Sequence, residues 1–178
     1  MASHALIILD IQEGNFVEPH PIFNGEELVS KIESMITKMR STDNLIIYIQ
    51  HNGGPGDPDE PGTDGWEIHP SIEPCEGDLV IQKSYPDAFQ ETALKRELDS
   101  RGIKKIIIAG LQTEYCVDTT CRRAFSLNYD AILVEDAHSP WPSELLTPKQ
   151  IISHHNSILG SWFVTLKKTF EILKEELE

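Results

Sequence analysis

Six short apolar runs constrain the fold of this chain more than any other feature of its sequence. They cover residues 5–9, 45–49, 79–81, 106–109, 131–134 and 163–166. Continuous apolar runs, as opposed to alternating ones, are typical of parallel strands that are covered on both faces. Because helical patterns separate most of these runs, the sequence predicts an α/β fold, with a doubly wound parallel six-stranded sheet and helices on both faces.

The helical patterns begin near residues 26, 87, 115, 147 and 167. Asp87 is the predicted N-cap of the second helix, and Gly102 its stop. Thr147, followed by proline and then by glutamine at the third helical position, predicts the start of the fourth helix, which we expect to end at Gly160. The last helix is expected to turn Phe170, Leu173 and Leu177 inward.

Composition limits the classes of function that need consideration. The length of 178 residues suits a single domain spanning residues 1–178. The net charge of −14 argues against binding nucleic acid or an anionic membrane. No segment approaches the roughly 20 apolar residues that span a bilayer, and no signal peptide is expected. The three cysteines form no disulfide framework, so we expect a cytoplasmic protein.

Three chemically capable residues each follow the end of a predicted strand. Asp10 follows the first strand, Lys83 the third, and Cys116 the fourth, after a turn that we expect to open at Gly110. Ligands bind beyond the carboxyl ends of the strands in sheets of this kind, so the fold should gather these residues at one edge. Cys116 is predicted to lie in the first turn of a helix, where the helix dipole favours a thiolate.

A cysteine beside an acid and a lysine can perform acyl transfer. Asp10 can take the thiol proton and return it to a leaving amine, while Lys83 holds the acid and offsets negative charge. Each residue alone also has a structural interpretation. Asp10 suits a loop or a cap, Lys83 a solvated surface charge, and Cys116 a small buried apolar side chain. The hypothesis therefore depends on their joint placement.

Three segments resemble the isochorismatase-like cysteine hydrolases, which include nicotinamidases and N-carbamoylsarcosine amidases. The segments are Leu-Ile-Ile-Leu-Asp-Ile-Gln around Asp10, Gln-Lys-Ser-Tyr-Pro-Asp-Ala-Phe around Lys83, and Gly-Leu-Gln-Thr-Glu-Tyr-Cys-Val-Asp-Thr-Thr around Cys116. The resemblance implies a Rossmann-like fold and a triad that hydrolyses an amide or related C–N bond of a small metabolite through a thioester. It also implies a cis peptide bond between Leu111 and Gln112, with an oxyanion hole formed by the N–H groups of Gln112 and Cys116.

The chain departs from the metal-binding members of that family. The Asp-x-His of nicotinamidases is absent, and Gln-His51-Asn stands after the second strand. No cofactor is therefore expected, and a divalent metal at His51 and His69 is the alternative. The segment Gly-Trp66-Glu-Ile-His69-Pro resembles the non-metal branches. The presence of Cys116 argues against vinyl-ether cleavage, the reaction of true isochorismatases.

Several side chains are candidates for contacting a substrate. We expect Phe16, His51, Trp66 and Tyr115 to bind it, with Phe89 as a further aromatic candidate. Trp66 lies in a long loop over residues 51–74, and a loop of this length inside a domain is usually functional. Core packing is an equal alternative for Phe16 and Phe89.

Two further expectations concern function and partners. The alternative to a hydrolase is a non-enzymatic module of the same fold that binds a ligand or senses thiol-reactive compounds. Dinucleotide binding is disfavoured because no G-x-G-x-x-G follows the first strand. The family resemblance implies a homo-oligomer, either a dimer or a tetramer.

Overall fold

A computed structural model describes residues 4–19 and 21–177 and contains a six-stranded parallel sheet. The strands are β1 (His4–Leu9), β2 (Leu45–His51), β3 (Leu79–Lys83), β4 (Lys105–Leu111), β5 (Asp130–Ser139) and β6 (Thr165–Lys167). They lie in the order β3-β2-β1-β4-β5-β6, and every neighbouring pair is parallel. This order, in which the chain reverses direction across the sheet after β3, confirms the predicted doubly wound fold.

Helices cover both faces of the sheet. They are α1 (Gly25–Ser41), α2 (Leu94–Ser100), α3 (Asp118–Ser126), α4 (Pro148–Trp162) and α5 (Thr169–Lys174). Successive strand residues point to opposite faces, so Leu6 and Ile8 pack beneath α1 and α5, while Ile7 packs beneath α2, α3 and α4. Among the described residues, no helix has both the length and the apolar character needed to cross a membrane.

The second helix starts later than the sequence pattern indicated. Asp87 does not cap α2, which begins at Leu94. Its carboxylate instead accepts the backbone N–H of Phe89 at 2.8 Å and closes a local turn. An aspartate can accept a backbone N–H in a turn just as it does at a helix N-terminus. The sequence therefore correctly indicated that Asp87 accepts a nearby backbone N–H, but that N–H belongs to a turn and not to the start of α2. The helix ends just before Gly102, as predicted.

Two glycines that were expected to end elements lie inside them. Gly110 is part of β4, where it pairs with Leu9, and a Cβ at Gly110 would lie 2.2 Å from the Leu9 carbonyl oxygen. The expected turn at Gly110 is therefore wrong, and its φ of +125° explains why glycine is required. Gly160 lies within α4, which continues to Trp162, so the expected helix end there is wrong; a side chain at Gly160 would collide with Leu166. The predicted capping box at Thr147 is present.

The C-terminal helix is shorter than predicted and differently oriented. Phe170 is 53% exposed and Leu173 37% exposed, so the expectation that both face inward is wrong. Ile172 and Leu177 are buried against the α1 face of the sheet. Because α5 ends at Lys174, Leu177 lies beyond the helix, and the helical face on which the prediction placed it together with Phe170 and Leu173 does not exist.

Candidate active site

The ends of β1, β3 and β4 bring Asp10, Lys83 and Cys116 to one edge of the sheet. Asp10 follows β1 directly, in a left-handed conformation with φ of +54°, and its N–H donates to the Ile49 carbonyl at 2.9 Å. Lys83 is the last residue of β3. Cys116 lies in a single π-helical turn, Thr113–Val117, between β4 and α3. The predicted convergence is therefore present in the structure.

The ammonium group of Lys83 connects the members of this cluster. Its Nζ lies 2.8 Å from Asp10 Oδ2, 3.2 Å from Cys116 Sγ and 3.1 Å from His51 Nδ1. An ammonium has three protons and no acceptor, so it can donate to all three groups. His51 must then accept through Nδ1 and carry its own proton on Nε2. Lys83 is only 2% exposed, which contradicts its interpretation as a surface charge.

The thiol of Cys116 is protonated at rest. Burial raises the pKa of Cys116 to about 12, and the negative charge of Asp10 acts in the same direction against the opposing effect of Lys83. The expectation that the helix end favours a thiolate is therefore wrong. That expectation was based on the helix dipole alone. Burial removes the water that would solvate a thiolate, and this effect raises the pKa of Cys116 more than the helix end can lower it.

Lys83 itself stays charged despite its environment. Burial acts to lower the pKa of Lys83, but the opposing interactions, led by the charge of the Asp10 carboxylate, outweigh burial and raise it. The resting cluster is therefore an ammonium, a carboxylate and a neutral thiol. Such a site needs a base to remove the thiol proton before the sulfur can attack. Asp10 is the acid–base group in position, because the Lys83 ammonium contacts both its carboxylate and the Cys116 sulfur.

A cavity of about 290 Å³ opens beside the cluster. Its lining comprises Asp10, Asn15, His51, Asp57, Pro58, Asp59, Pro86, Leu111, Gln112, Tyr115, Cys116 and Trp141. The peptide bond between Leu111 and Gln112 is cis, as the family resemblance implied. Asp10 Oδ1 and Trp141 Nε1 are buried and have no hydrogen-bond partner among the residues described. Two of the residues that line this cavity therefore carry a buried acceptor and a buried donor that the protein leaves unsatisfied.

The candidate substrate-binding residues divide into two groups. His51 and Tyr115 line the cavity, with Tyr115 58% exposed at its rim. Phe16 does not line it, because its ring packs edge-on against His69 with centroids 4.7 Å apart. Trp66 also lies outside the lining, and its indole N–H donates to Asn52 Oδ1 at 2.9 Å. Phe89 is part of the core and stacks on Tyr129.

Gln12 has a supporting role that the sequence did not reveal. Its side-chain amide donates to the carbonyls of His51 and Trp66, both at 2.9 Å, and its Oε1 accepts the N–H of His51 at 2.7 Å. These bonds attach the loop that follows β2 to the loop that follows β1. The sequence signal was the place of Gln12 two residues after Asp10, in a segment that resembles the family, but this did not indicate what the side chain does.

Sequence reasoning also missed Asp57, Asp59 and Trp141 as lining residues. All three lie in irregular segments, where no periodicity indicates which side chains turn inward. The length of the 51–74 loop was the one available indication that part of it would contribute to a site.

His51 and His69 have separate surroundings. Nδ1 of His51 faces Lys83, whereas Nδ1 of His69 accepts the N–H of Ser71 at 3.3 Å. Within residues 4–19 and 21–177, no group of three His, Cys, Asp or Glu side chains is placed to hold a metal ion.

A buried histidine supports the turn that carries Cys116. His138 Nδ1 lies 2.9 Å from Thr113 Oγ1, and its Nε2 lies 2.8 Å from Asn156 Oδ1. The amide of Asn156 donates to the Glu135 carbonyl at 2.9 Å, which fixes its oxygen toward His138. Nε2 must then donate, and in the neutral ring, which the lowered pKa of His138 favours, Nδ1 accepts from the Thr113 hydroxyl. Burial lowers the pKa of His138 to about 4.

This histidine should make folding stability depend on pH. Because the pKa of His138 is lower in the folded protein than in the unfolded chain, stability is full above about pH 6.5 and is lost as the pH falls toward 4. We expect a loss of about 2 kcal/mol in the free energy of unfolding between pH 8 and pH 5 from this group. Urea unfolding at both pH values measures it. His138→Gln, which can keep both hydrogen bonds, should remove this component, and an unchanged pH dependence in the variant would contradict the prediction.

The chain is similar to known proteins in sequence and in fold. The model of the isochorismatase domain matches residues 4–145. Streptothricin hydrolase from Streptomyces noursei is 29% identical over 77% of this chain, which spans about half of that protein's length. Ureidoacrylate amidohydrolase from Variovorax paradoxus is 27% identical, over 75% of this chain and 67% of its own.

A solved structure extends the similarity to the fold. The crystal structure of an isochorismatase from Pseudomonas putida superposes with a TM-score of 0.91 at 28% identity, covering 95% of this chain and 89% of that one. The matched region of the family model includes β1, β3, β4 and the turn that carries Cys116. The chain therefore belongs to the isochorismatase family.

Proposed function

We propose that this protein hydrolyses an amide or a related C–N bond of a small molecule, with Cys116 as the nucleophile. The observation that supports this most directly is the contact of one buried ammonium with both a carboxylate and a thiol beside an open cavity. The printed names of two relatives, a streptothricin hydrolase and a ureidoacrylate amidohydrolase, agree with a hydrolytic function.

The proposed reaction begins with proton transfer from Cys116 to Asp10. The unpartnered Oδ1 of Asp10 is the acceptor available at the cavity. The sulfur then forms a bond to the carbonyl carbon, and the oxyanion accepts hydrogen bonds from the N–H groups of Gln112 and Cys116. Asp10 returns the proton to the departing nitrogen as the C–N bond breaks, which leaves a thioester on Cys116.

Water completes the proposed cycle. Asp10, again a carboxylate, takes a proton from the water that attacks the thioester carbon. The C–S bond breaks, Asp10 gives that proton to the departing sulfur, and the acid product leaves with the enzyme back in its resting state. Lys83 stays charged throughout, and its positive charge stabilises each anionic form of the sulfur and the carboxylate.

The alternative of a thiol sensor fits these features less well. Sensor cysteines are exposed and have a low pKa, whereas Cys116 is buried and burial raises its pKa to about 12. A protonated thiol beside a base suits a nucleophile that is activated only when a substrate is bound.

A screen with acyl-enzyme detection tests the proposal. The protein is incubated with a panel of small amides and ureas, and released ammonia or amine is measured. We expect a substrate to leave a transient acyl adduct on Cys116, seen by rapid acid quench, peptide mapping and mass spectrometry. Cys75→Ser, which changes an exposed cysteine remote from the cavity, serves as the matched control and should form the same adduct. Hydrolysis that persists after Cys116 is alkylated would refute the mechanism.

A further inference from the structure

The cavity beside Cys116 carries negative charge that the proposed reaction does not use. Asp57 and Asp59 both line it, and neither forms an ion pair with a Lys, Arg or His within the described ranges. No lysine or arginine is among the lining residues. Lys83, the ammonium of the triad, has a fully buried side chain that already faces Asp10, Cys116 and His51. A ligand in the cavity therefore meets two carboxylates without a counter-ion.

Asp59 is the more significant of these two acids. It is half-buried, and this burial raises the pKa of its carboxyl, with the charges of Asp10 and Asp57 adding to the effect. A carboxylate that has lost part of its water gains more from a bound cation than an exposed one does. Asp57 is exposed at the rim, where its Oδ2 accepts the N–H of Gly54 at 2.7 Å and is held in place.

A second observation marks the same cavity as a ligand site. Asp10 is 5% exposed, and its Oδ1 is buried at the cavity wall without a hydrogen-bond partner. Trp141 Nε1 is likewise buried and unpartnered at this wall. Buried polar atoms are normally satisfied, so these two atoms point to a polar ligand in contact with them.

We propose that the molecule bound beside Cys116 is a small amide that carries a positively charged amino group, which Asp59 and Asp57 hold at the cavity mouth. That the ligand is an amide rests on the proposed function. That it carries an amino group rests on the negative charges of the residues that line the cavity. Substrates with a carboxylate near the scissile bond are disfavoured, because the cavity offers them two like charges and no free cation. The two aspartates are then specificity-determining residues and take no part in the chemical steps.

Charge-selective labelling of Cys116 tests the inference without any known substrate. Three methanethiosulfonates of similar size are used, with a trimethylammonium, a hydroxyl and a sulfonate group. Their second-order rates at Cys116 are measured by peptide mass spectrometry in a Cys75→Ser background and divided by their rates with mercaptoethanol. Cys121 is fully buried in the core and provides no competing site. The salt concentration is 0.15 M, where charges more than about 8 Å away are largely screened.

We expect the corrected labelling rate of the cationic reagent to be about tenfold or more above that of the anionic reagent. Focused charge in a cleft raises the local counter-ion concentration by about that factor. Asp59→Asn combined with Asp57→Asn should bring the ratio close to one. Asp64→Asn is the matched control, because it removes an exposed acid from the same loop outside the lining, and it should leave the ratio unchanged.

Three results would overturn the inference. These are a ratio near one in the parent protein, a ratio that the double variant does not lower, and a Cys116 that none of the reagents reaches. The labelling needs no turnover, so its failure is separate from the failure of the hydrolase proposal. That proposal falls when no acyl adduct forms on Cys116, whatever the charge preference.

Discussion

Replacing Asp10 by asparagine is expected to make Cys116 more easily alkylated at neutral pH while lowering amide hydrolysis about a thousandfold. The two effects have one cause. The charge of Asp10 helps to raise the pKa of Cys116, and Lys83 acts to lower it. Without the carboxylate, the buried ammonium has only the sulfur and His51 to face, and a thiolate becomes its natural counter-ion. Hydrolysis falls because general acid–base catalysis contributes about 10²- to 10⁴-fold and the variant cannot protonate the leaving nitrogen.

The pH dependence of iodoacetamide labelling measures the first effect. Labelling of Cys116 is followed by peptide mapping in the parent protein and in Asp10→Asn, and its midpoint should shift to lower pH in the variant. Asp136→Asn is the matched control, since Asp136 is an acid within β5 that also pairs with a lysine, Lys31, and does not line the cavity. A midpoint that is unchanged or higher in Asp10→Asn would show that Asp10 does not hold the thiol protonated.

The sequence predicted the scaffold because the information for it is local. Six apolar runs were visible without any knowledge of their neighbours, and parallel strands with helices on both faces follow from them. The meeting of Asp10, Lys83 and Cys116 followed from the same pattern, since each comes after the carboxyl end of a strand in one sheet. The pattern did not give the strand order, however, and it is the order β3-β2-β1-β4 that places these three strand ends close enough for contact, because neighbouring strands lie about 4.8 Å apart.

The properties that depend on tertiary packing were not predictable. The helix-end rule predicted a thiolate at Cys116, but the extent of its burial is set by segments distant in sequence. Gly110 and Gly160 were interpreted as local breaks, whereas each is required by a close approach to another element, Leu9 for one and Leu166 for the other. Asp59 reaches the cavity through an irregular loop that has no periodic pattern to read.

The buried ion pair between Lys83 and Asp10 should be essential for stability as well as for activity. Lys83→Met keeps much of the volume of the side chain but leaves a carboxylate that is 5% exposed without its counter-ion. Removing one partner of a buried pair costs about 3–5 kcal/mol, so we expect a decrease of this size in the free energy of unfolding at pH 7. Lys31→Met is the matched control, because Lys31 is 26% exposed and should lose no more than about 1 kcal/mol.

The double variant Lys83→Met with Asp10→Asn separates the cost of an orphaned charge from the value of the pair itself. Asparagine removes the charge, so most of the lost stability should return, although hydrolysis should not. Urea unfolding of the parent, both single variants and the double variant at pH 7 completes the cycle. Repeating it at pH 4.5 adds a second check, because protonation relieves an unpaired carboxylate and the loss in Lys83→Met should shrink. A Lys83→Met protein as stable as Lys31→Met would mean that water reaches Asp10 freely. The site would then lack the burial that keeps the thiol of Cys116 protonated until a substrate enters.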